Sequence, residues 1–518
     1  MDIQCTPASF AIRISEKREC ENETEFMLPE YLPNLQSLIR TDVRVKITDK
    51  TVGESGVTVN GTLIYTVLYV SDRNGALKCA VFTDDFSAGF DFPEKEDSSA
   101  ENLHVLAFSC VNGVNAKMQS QRRISVKSRF SVFCEVLATD LSEELPKNDS
   151  DDRHCALQYR KKSVESGILK ISDEYRHNFS EELFLEDGMP EISDILLADA
   201  SVCVKEINAN EEKVTLSGEL LFSCLYEAKD GEKSEYICFT KTIPFEAEPD
   251  FDFNAEGQKI TAQAVLSSLS VENIADAYGE QKKLSVSGEI TFCLLGFSNK
   301  TVSVVTDLYS TDCIVVPRVQ NVRNLSFIDI YGDTLYSEES LRAELRGTVD
   351  LISSSVHLCF GVPEFSDGKV FLPANGYLSL LGMKENGEVD ALRIPLHLKV
   401  LSSDIPYSLG VEKLKWFNLT ALCSHECEIS GGELVLKLWI RESLGVFRDE
   451  TLSLICGFDE NEENAEPKKH CGFTLYFPDE GESVWDVSKK HSVSVEKVKA
   501  ENAVTGDVFT GKKTVLLH

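Results

Sequence analysis

No stretch of the 518 residues approaches the apolar length of a transmembrane helix, which needs about 18 uninterrupted apolar residues, so no membrane insertion is expected. The first twenty residues hold no apolar core and meet charge early, so no secretory signal is expected. Positive charge is scarce. With 52 Lys and Arg against 85 Asp and Glu the net charge is −33, and nucleic acid and anionic membrane surfaces would both repel it. Cysteine is too sparse for a disulfide scaffold, at 16 residues scattered singly. Many lie in apolar strand-like runs, among them Cys134, Cys224 and Cys293, and the expectation is a reduced, intracellular chain.

Catalytic and metal patterns are lacking as well. The nine His show no H-E-x-x-H and no ligand-spaced pair. Cys423 and Cys427 flank His425, but no second pair with zinc spacing follows, so no metal site is expected. Gly53-Glu54-Ser55-Gly56 enters a strand and lacks the glycine spacing of a nucleophile elbow. No phosphate-binding or dinucleotide-binding glycine pattern occurs, and no cofactor is expected. The many carboxylates allow chance pairs, yet a repeated unit rarely carries a site absent from its sister copies. No enzyme is expected.

What the sequence does contain is repetition. Its composition, 42% hydrophobic and 26% charged, is enough for cores, and its length suggests three or four domains. Val57–Tyr69 reappears as Val214–Tyr226, an offset of 157 residues, and Leu32-Pro33-Asn34-Leu35 matches Met189-Pro190-Glu191-Ile192 at the same offset. Gln121–Phe130 matches Gln281–Ile290 at 160. Three blocks in one register indicate tandem duplication of a unit of about 120 residues. A decayed third copy follows: Phe179–Glu182 recurs as Tyr336–Glu339, Gly218 as Gly376, and the closing strands as Gly432–Ile440. The Met-Pro block is missing from it, with Arg346-Gly347 in its place.

Each unit reads as β. Val57, Val59, Leu63 and Val67 alternate with Thr58, Asn60, Thr62 and Thr66, then the run turns wholly apolar, the pattern of a strand covered on both faces at that point. Asp72–Gly75 and Asp230-Gly231 read as hairpin turns. Short helical turns are expected at Leu35–Ile39 and Ile192–Leu196. The polar, acidic stretches at 142–152 and 459–469 read as linkers. The fold class expected is mainly β, antiparallel sandwich- or barrel-like repeats over 22–140, 179–298 and 336–445, with a different module over 472–518.

That last module reads βααβ. Thr474–Phe477 forms a strand, Ser483 caps one helix and Ser494 a second that ends near Asn502, and Gly511–Leu517 closes the sheet. Gly481-Glu482-Ser483-Val484-Trp485, continuing through Val493-Ser494-Val495-Glu496 to Asn502, resembles the LysM signature. LysM domains bind N-acetylglucosamine units of peptidoglycan or chitin, or dock proteins. The resemblance places a groove at Gly481, Glu482, Ser483 and Val484 and from Asn502 through Thr505, Gly506, Asp507 and Val508. Trp485, Val487, Val495 and Val498 are expected in its core. Here Glu482 stands for the usual Asp, Ser483 for Thr, His491 for Tyr and Leu517 for the final Pro.

The Met-Pro block, the strand with its central glycine and the following hairpin resemble the SPOCS domain of spore coat proteins, and Asp307–Asp312 resembles their inter-repeat segments. SPOCS repeats before one LysM domain are the layout of SipL-like spore coat morphogenetic proteins. The resemblance implies a non-enzymatic scaffold in the mother-cell cytoplasm. It would dock through LysM to a coat basement-layer ATPase at the forespore surface and support coat encasement. The alternative is a protein that binds peptidoglycan of the wall or cortex. Residues 473–518 hold 6 Lys against 7 Asp and Glu, so the acidic excess belongs to the repeats and their linkers.

Overall fold

The computed structural model describes residues 10–93, 102–139, 156–172, 174–210, 213–230, 233–249, 257–341, 348–402, 405, 413–430, 433–460, 473–510 and 514–517. The linker at 142–152, most of that at 459–469, and Gly231, Arg346-Gly347, Gly432, Cys471 and Gly511 lie outside them.

The first repeat comprises β1 (Phe10–Met27), β2 (Leu35–Val52), β3 (Gly56–Ser71), β4 (Leu77–Asp91), β5 (Asn102–Ser120) and β6 (Arg123–Thr139). The second comprises β7 (Leu157–Ile171), β8 (Tyr175–Phe184), β9 (Ile192–Ala209), β10 (Val214–Asp230), β11 (Lys233–Ala247), β12 (Lys259–Ile274) and β13 (Lys283–Ser310). The third runs β14 (Val315–Tyr331), β15 (Thr334–Leu341), β16 (Thr348–Phe360), β17 (Glu364–Ser366), β18 (Lys369–Lys384), β19 (Val389–Leu401), β20 (Leu414–Asn418), β21 (Ala421–Ser430), β22 (Glu433–Arg441) and β23 (Leu444–Glu460).

One antiparallel plan is built three times. One sheet of each repeat orders its strands β2-β3-β4, β9-β10-β11 or β16-β18-β19, and the other β1-β6-β5, β8-β13-β12 or β15-β22-β21. The long strands continue past these sandwiches: β1 along β6, β7 along the second half of β13, and β14 along β23. Pairing therefore starts each repeat before the edge read from sequence, at Phe10, Leu157 and Val315, and carries the second and third past their ends to Ser310 and Glu460.

The repeated blocks have structural reasons. Tyr69 and Tyr226 donate their buried hydroxyls to the carbonyls of Pro33 (3.0 Å) and Pro190 (3.4 Å). Leu35 and Ile192 each donate their N–H at 2.8 Å to the carbonyls of Gln121 and Gln281. All three blocks thus meet at one corner of the sandwich. In the third repeat the proline block and the tyrosine are lost together.

The central-strand glycines answer to bulges in the neighbouring strand. At Gly61, Gly218 and Gly376 an added Cβ would overlap the carbonyl oxygens of Lys46, Cys203 and His357, and the pairing slips beside the first two, at Ile47/Asp49 and Ser217/Gly218. Bulges also correct the helical turns expected at Leu35–Ile39 and Ile192–Leu196, which are the starts of β2 and β9. Each of these stretches carries two register shifts. Such shifts move apolar residues from a spacing of two to the three-and-four spacing that a helix would show. The hairpin at Asp72–Gly75 is present, with Gly75 at φ +69°. Asp230 pairs with Lys233 across the second turn.

Alternation in β3 is strict until Val67-Leu68-Tyr69, where every residue is buried. There Leu68 packs with Leu77, Leu196, Leu225 and Leu381, joining the equivalent ends of all three repeats. A second shared core sits where the long strands extend: the register pairs Leu169/Phe297 and Phe327/Phe447 meet Leu137, with Ile12 packed against them. A cavity of about 830 Å³ with a mixed lining opens between the repeats, its polar residues including Arg44, Asp199, Ser354, His357 and His425. Arg393 of the third repeat crosses to the first, donating to Val114 O (2.7 Å), Thr41 O (2.6 Å) and Asp42 (3.0 Å).

The expectation of singly scattered reduced cysteines needs correction at two described places. Cys203 is disulfide-bonded to Cys423, which therefore does not act with Cys427, and Cys313 is also disulfide-bonded. Tertiary folding brings together residues 220 apart in sequence, which no spacing pattern reveals.

Replacing Gly218 with Ala drives the new methyl into Cys203 O and to 2.5 Å from Phe245 Cζ. A loss of about 2 kcal/mol is expected, read as a lower urea midpoint. Gly113→Ala, which meets nothing within 4 Å, should stay within about 0.5 kcal/mol of the parent.

Candidate functional site: the C-terminal module

The module after residue 472 runs β24 (Thr474–Tyr476), α1 (Val484–His491), α2 (Val495–Asn502) and β25 (Val515–Leu517). The two strands pair antiparallel. Ser483 Oγ accepts the N–H of Asp486 at 3.4 Å and caps α1, whereas Ser494 stands at the start of α2 without a side-chain cap bond. Its core is small: Val484, Val487, Val493, Val498, Phe509, Val515 and Leu517, with Val495 half-buried against them.

The two stretches read as groove walls lie side by side. Gly481 N–H donates to Phe509 O (2.9 Å), Phe509 N–H to Glu482 O (2.8 Å), and Val484 N–H to Asp507 O (2.9 Å). Gly481, at φ +85°, and Thr505, Gly506, Asp507 and Val508 are exposed along this seam. Ser483 and Glu482 are half-buried. Both carboxylate oxygens of Glu482 are engaged, one by the Tyr476 hydroxyl (2.8 Å) and the other by Asp479 N–H (3.0 Å). Two of the expected groove residues belong elsewhere. Val484 is in the core. Asn502 ties α2 to the last strand, exchanging bonds with Leu516 at 2.7 Å in both directions.

Trp485 is not in the core, which is a second correction. Its ring lies outside that cluster, edge-on to Tyr309 at 5.0 Å between centroids, and its indole N–H donates to Asp307 Oδ2 at 2.9 Å. Lys489 Nζ meets the other oxygen of Asp307 at 2.5 Å, and the Tyr309 hydroxyl donates to Val493 O at 2.7 Å. The segment Asp307–Asp312, read as a joining strand, thus closes β13 and holds the module against the second repeat. Burial raises the Asp307 carboxyl, but the bonds from Lys489 and Trp485 outweigh it and leave the carboxyl below its ordinary range. A Trp at this point of a helix signals core by periodicity alone; only the neighbouring repeat reveals its other partner.

Phe473, Leu475 and Phe477 alternate along β24 and its two flanking positions and are 67%, 58% and 73% exposed. A sheet face is normally covered, so three large apolar side chains in a row form an uncovered stripe. Among the described residues no group of three His, Cys, Asp or Glu could hold a metal ion, and no helix is long and apolar enough to cross a membrane.

Two segments match the family model described as SipL, SPOCS domain: residues 34–120 and 191–274. These are β2–β5 and β9–β12, starting at the same point of the repeat. In these two repeats the chain is SipL-like. No curated protein and no solved structure matches the chain.

Asp307→Ala should free the module without unfolding it. Hydrogen exchange is expected to speed up at 484–493 and 305–310 while the Val498 and Val515 amides keep their protection, and Trp485→Ala should do the same. Because the Asp307 carboxyl is held low in the folded chain, its contribution persists above the ordinary carboxylate range and is lost as pH falls below it. Tryptophan fluorescence should therefore report undocking only on strong acidification.

Proposed function

We propose that this chain is a non-enzymatic scaffold of spore coat assembly. It docks through its LysM-like module to a coat basement-layer morphogenetic ATPase at the forespore surface, on the mother-cell side, and supports encasement of the forespore by coat material. The observation that carries the reading is the SipL-type SPOCS match on two successive repeats. Beneath it stands a physical argument about the module. The stripe of Phe473, Leu475 and Phe477 is the kind of surface that a protein partner covers. The module is also nearly neutral while the repeats are strongly acidic, so a partner approaching it meets little repulsion.

The same module could instead serve peptidoglycan, using the exposed edge at Thr505–Val508. Glu482 argues for the protein partner. Its two oxygens are already engaged inside the module, which leaves the floor of the seam without a free carboxylate for sugar hydroxyls.

A tagged full-length chain is expected to form a ring around the forespore in sporulating cells. Leu475→Asp with Phe477→Asp should abolish the ring and weaken capture of the purified ATPase tenfold or more, about 1.4 kcal/mol or above, with the module still folded by hydrogen exchange. A diffuse signal from the parent chain would overturn the reading. Retention on peptidoglycan without the ATPase would replace the docking role by glycan binding.

A further inference from the structure

The repeats follow one another around a common centre, and each of the three seams joins the first strand of one sandwich to the third strand of another. β2 faces β12 across a cavity of about 1000 Å³, β9 packs on β21, and β16 packs on β5. Sulfur stands at two of these seams. At the second, Cys203 on β9 is bonded to Cys423 on β21. At the third, β16 carries Cys359 and β5 carries Cys110, both half-buried thiols. These two are hydrogen-bonded to each other across the seam. No cysteine occurs in β2 or β12.

We propose that Cys110 and Cys359 are a second cystine-forming site, closed by thiol–disulfide exchange with a low-molecular-weight disulfide of the glutathione or cystine type. Cys359 is the attacking sulfur. The hydrogen bond from Cys110, aided by the Lys17 ammonium, holds its thiol below the ordinary range, and the thiolate is the form that attacks. Cys110 keeps its proton, raised by that same bond and by burial.

The Cys359 thiolate attacks one sulfur of the small disulfide, whose S–S bond breaks, and one half leaves as a thiolate that takes up a proton. Cys110 then gives its proton to solvent and attacks Cys359 Sγ, expelling the second half as a thiol. The chain loses two electrons and two hydrogens, and the small disulfide gains them as two thiols. Room for the mixed disulfide exists beside the pair, in a cavity of about 380 Å³ lined by Cys359, Phe360, Phe108 and Ser109. Once closed, the bond ties the third repeat to the first as Cys203–Cys423 ties it to the second. The order of the three around their centre then survives transient opening of the non-covalent seams.

The test uses the full-length protein, incubated with oxidised glutathione, alkylated and digested without reductant for mass spectrometry. The expected product is a joined pair of peptides containing Cys110 and Cys359, about 2 Da lighter than the two thiol peptides together, with no glutathione retained on either. Cys110→Ser should stop at a glutathione adduct on Cys359, and Cys359→Ser should leave Cys110 free for alkylation. Recovery of both cysteines alkylated, or each carrying its own glutathione, after other thiols have reacted would overturn the proposal. The parent chain gives this readout by itself, so it stands even where a variant misfolds.

Discussion

A β-sandwich hides only its inner faces, and Leu68, Leu225 and Leu381 lie on the outer ones. Left in water, each would forgo about 2 kcal/mol of burial. Neighbouring repeats supply the cover, so the leucine cluster draws the equivalent strand ends of all three repeats to one point. The second shared core, around Phe297, Phe327 and Phe447, fastens them again through the long strands. Two apolar contacts fix the placement of the repeats. The seams, the inter-repeat sulfur pairs and the strand end that holds the C-terminal module are consequences of it.

Charge is arranged to the same end. In a chain with a net charge of −33, self-repulsion opposes any compact assembly of acidic bodies. Part of the minority of cations lies where repeats touch. Arg44 pairs with Asp199, Lys50 with Glu174 at 2.6 Å, Lys78 with Asp194 at 2.8 Å, and Arg393 with Asp42 at 3.0 Å. Exposed pairs of this kind add little stability each. Their value is in register, because each mates a particular place on one repeat with a particular place on another.

The repeats themselves were legible. Their alternation, the Asp72–Gly75 turn and the 157-residue offset all rest on local geometry, which a side-chain period of two writes directly into the chain. Bulges hid part of it: Leu35–Ile39 and Ile192–Leu196 carry helical spacing because the strand slips there. Within the C-terminal module the helix starts at Ser483 and Ser494 and the end near Asn502 could be read from the sequence. Trp485 could not be placed, since its helical position suits a core, and Asp307, its partner, is 178 residues away.

Sequence by itself determined the β class, the threefold tandem plan and the glycine that each central strand needs, because these depend on neighbours within one repeat. Tertiary structure alone decided which faces the repeats share, which sulfurs meet, and that Trp485 and Lys489 hold the module to the second repeat through Asp307. Those pairings join residues about 180 to 220 positions apart. No periodicity spans such a distance; burial of outer faces and pairing of charge in the assembled chain do.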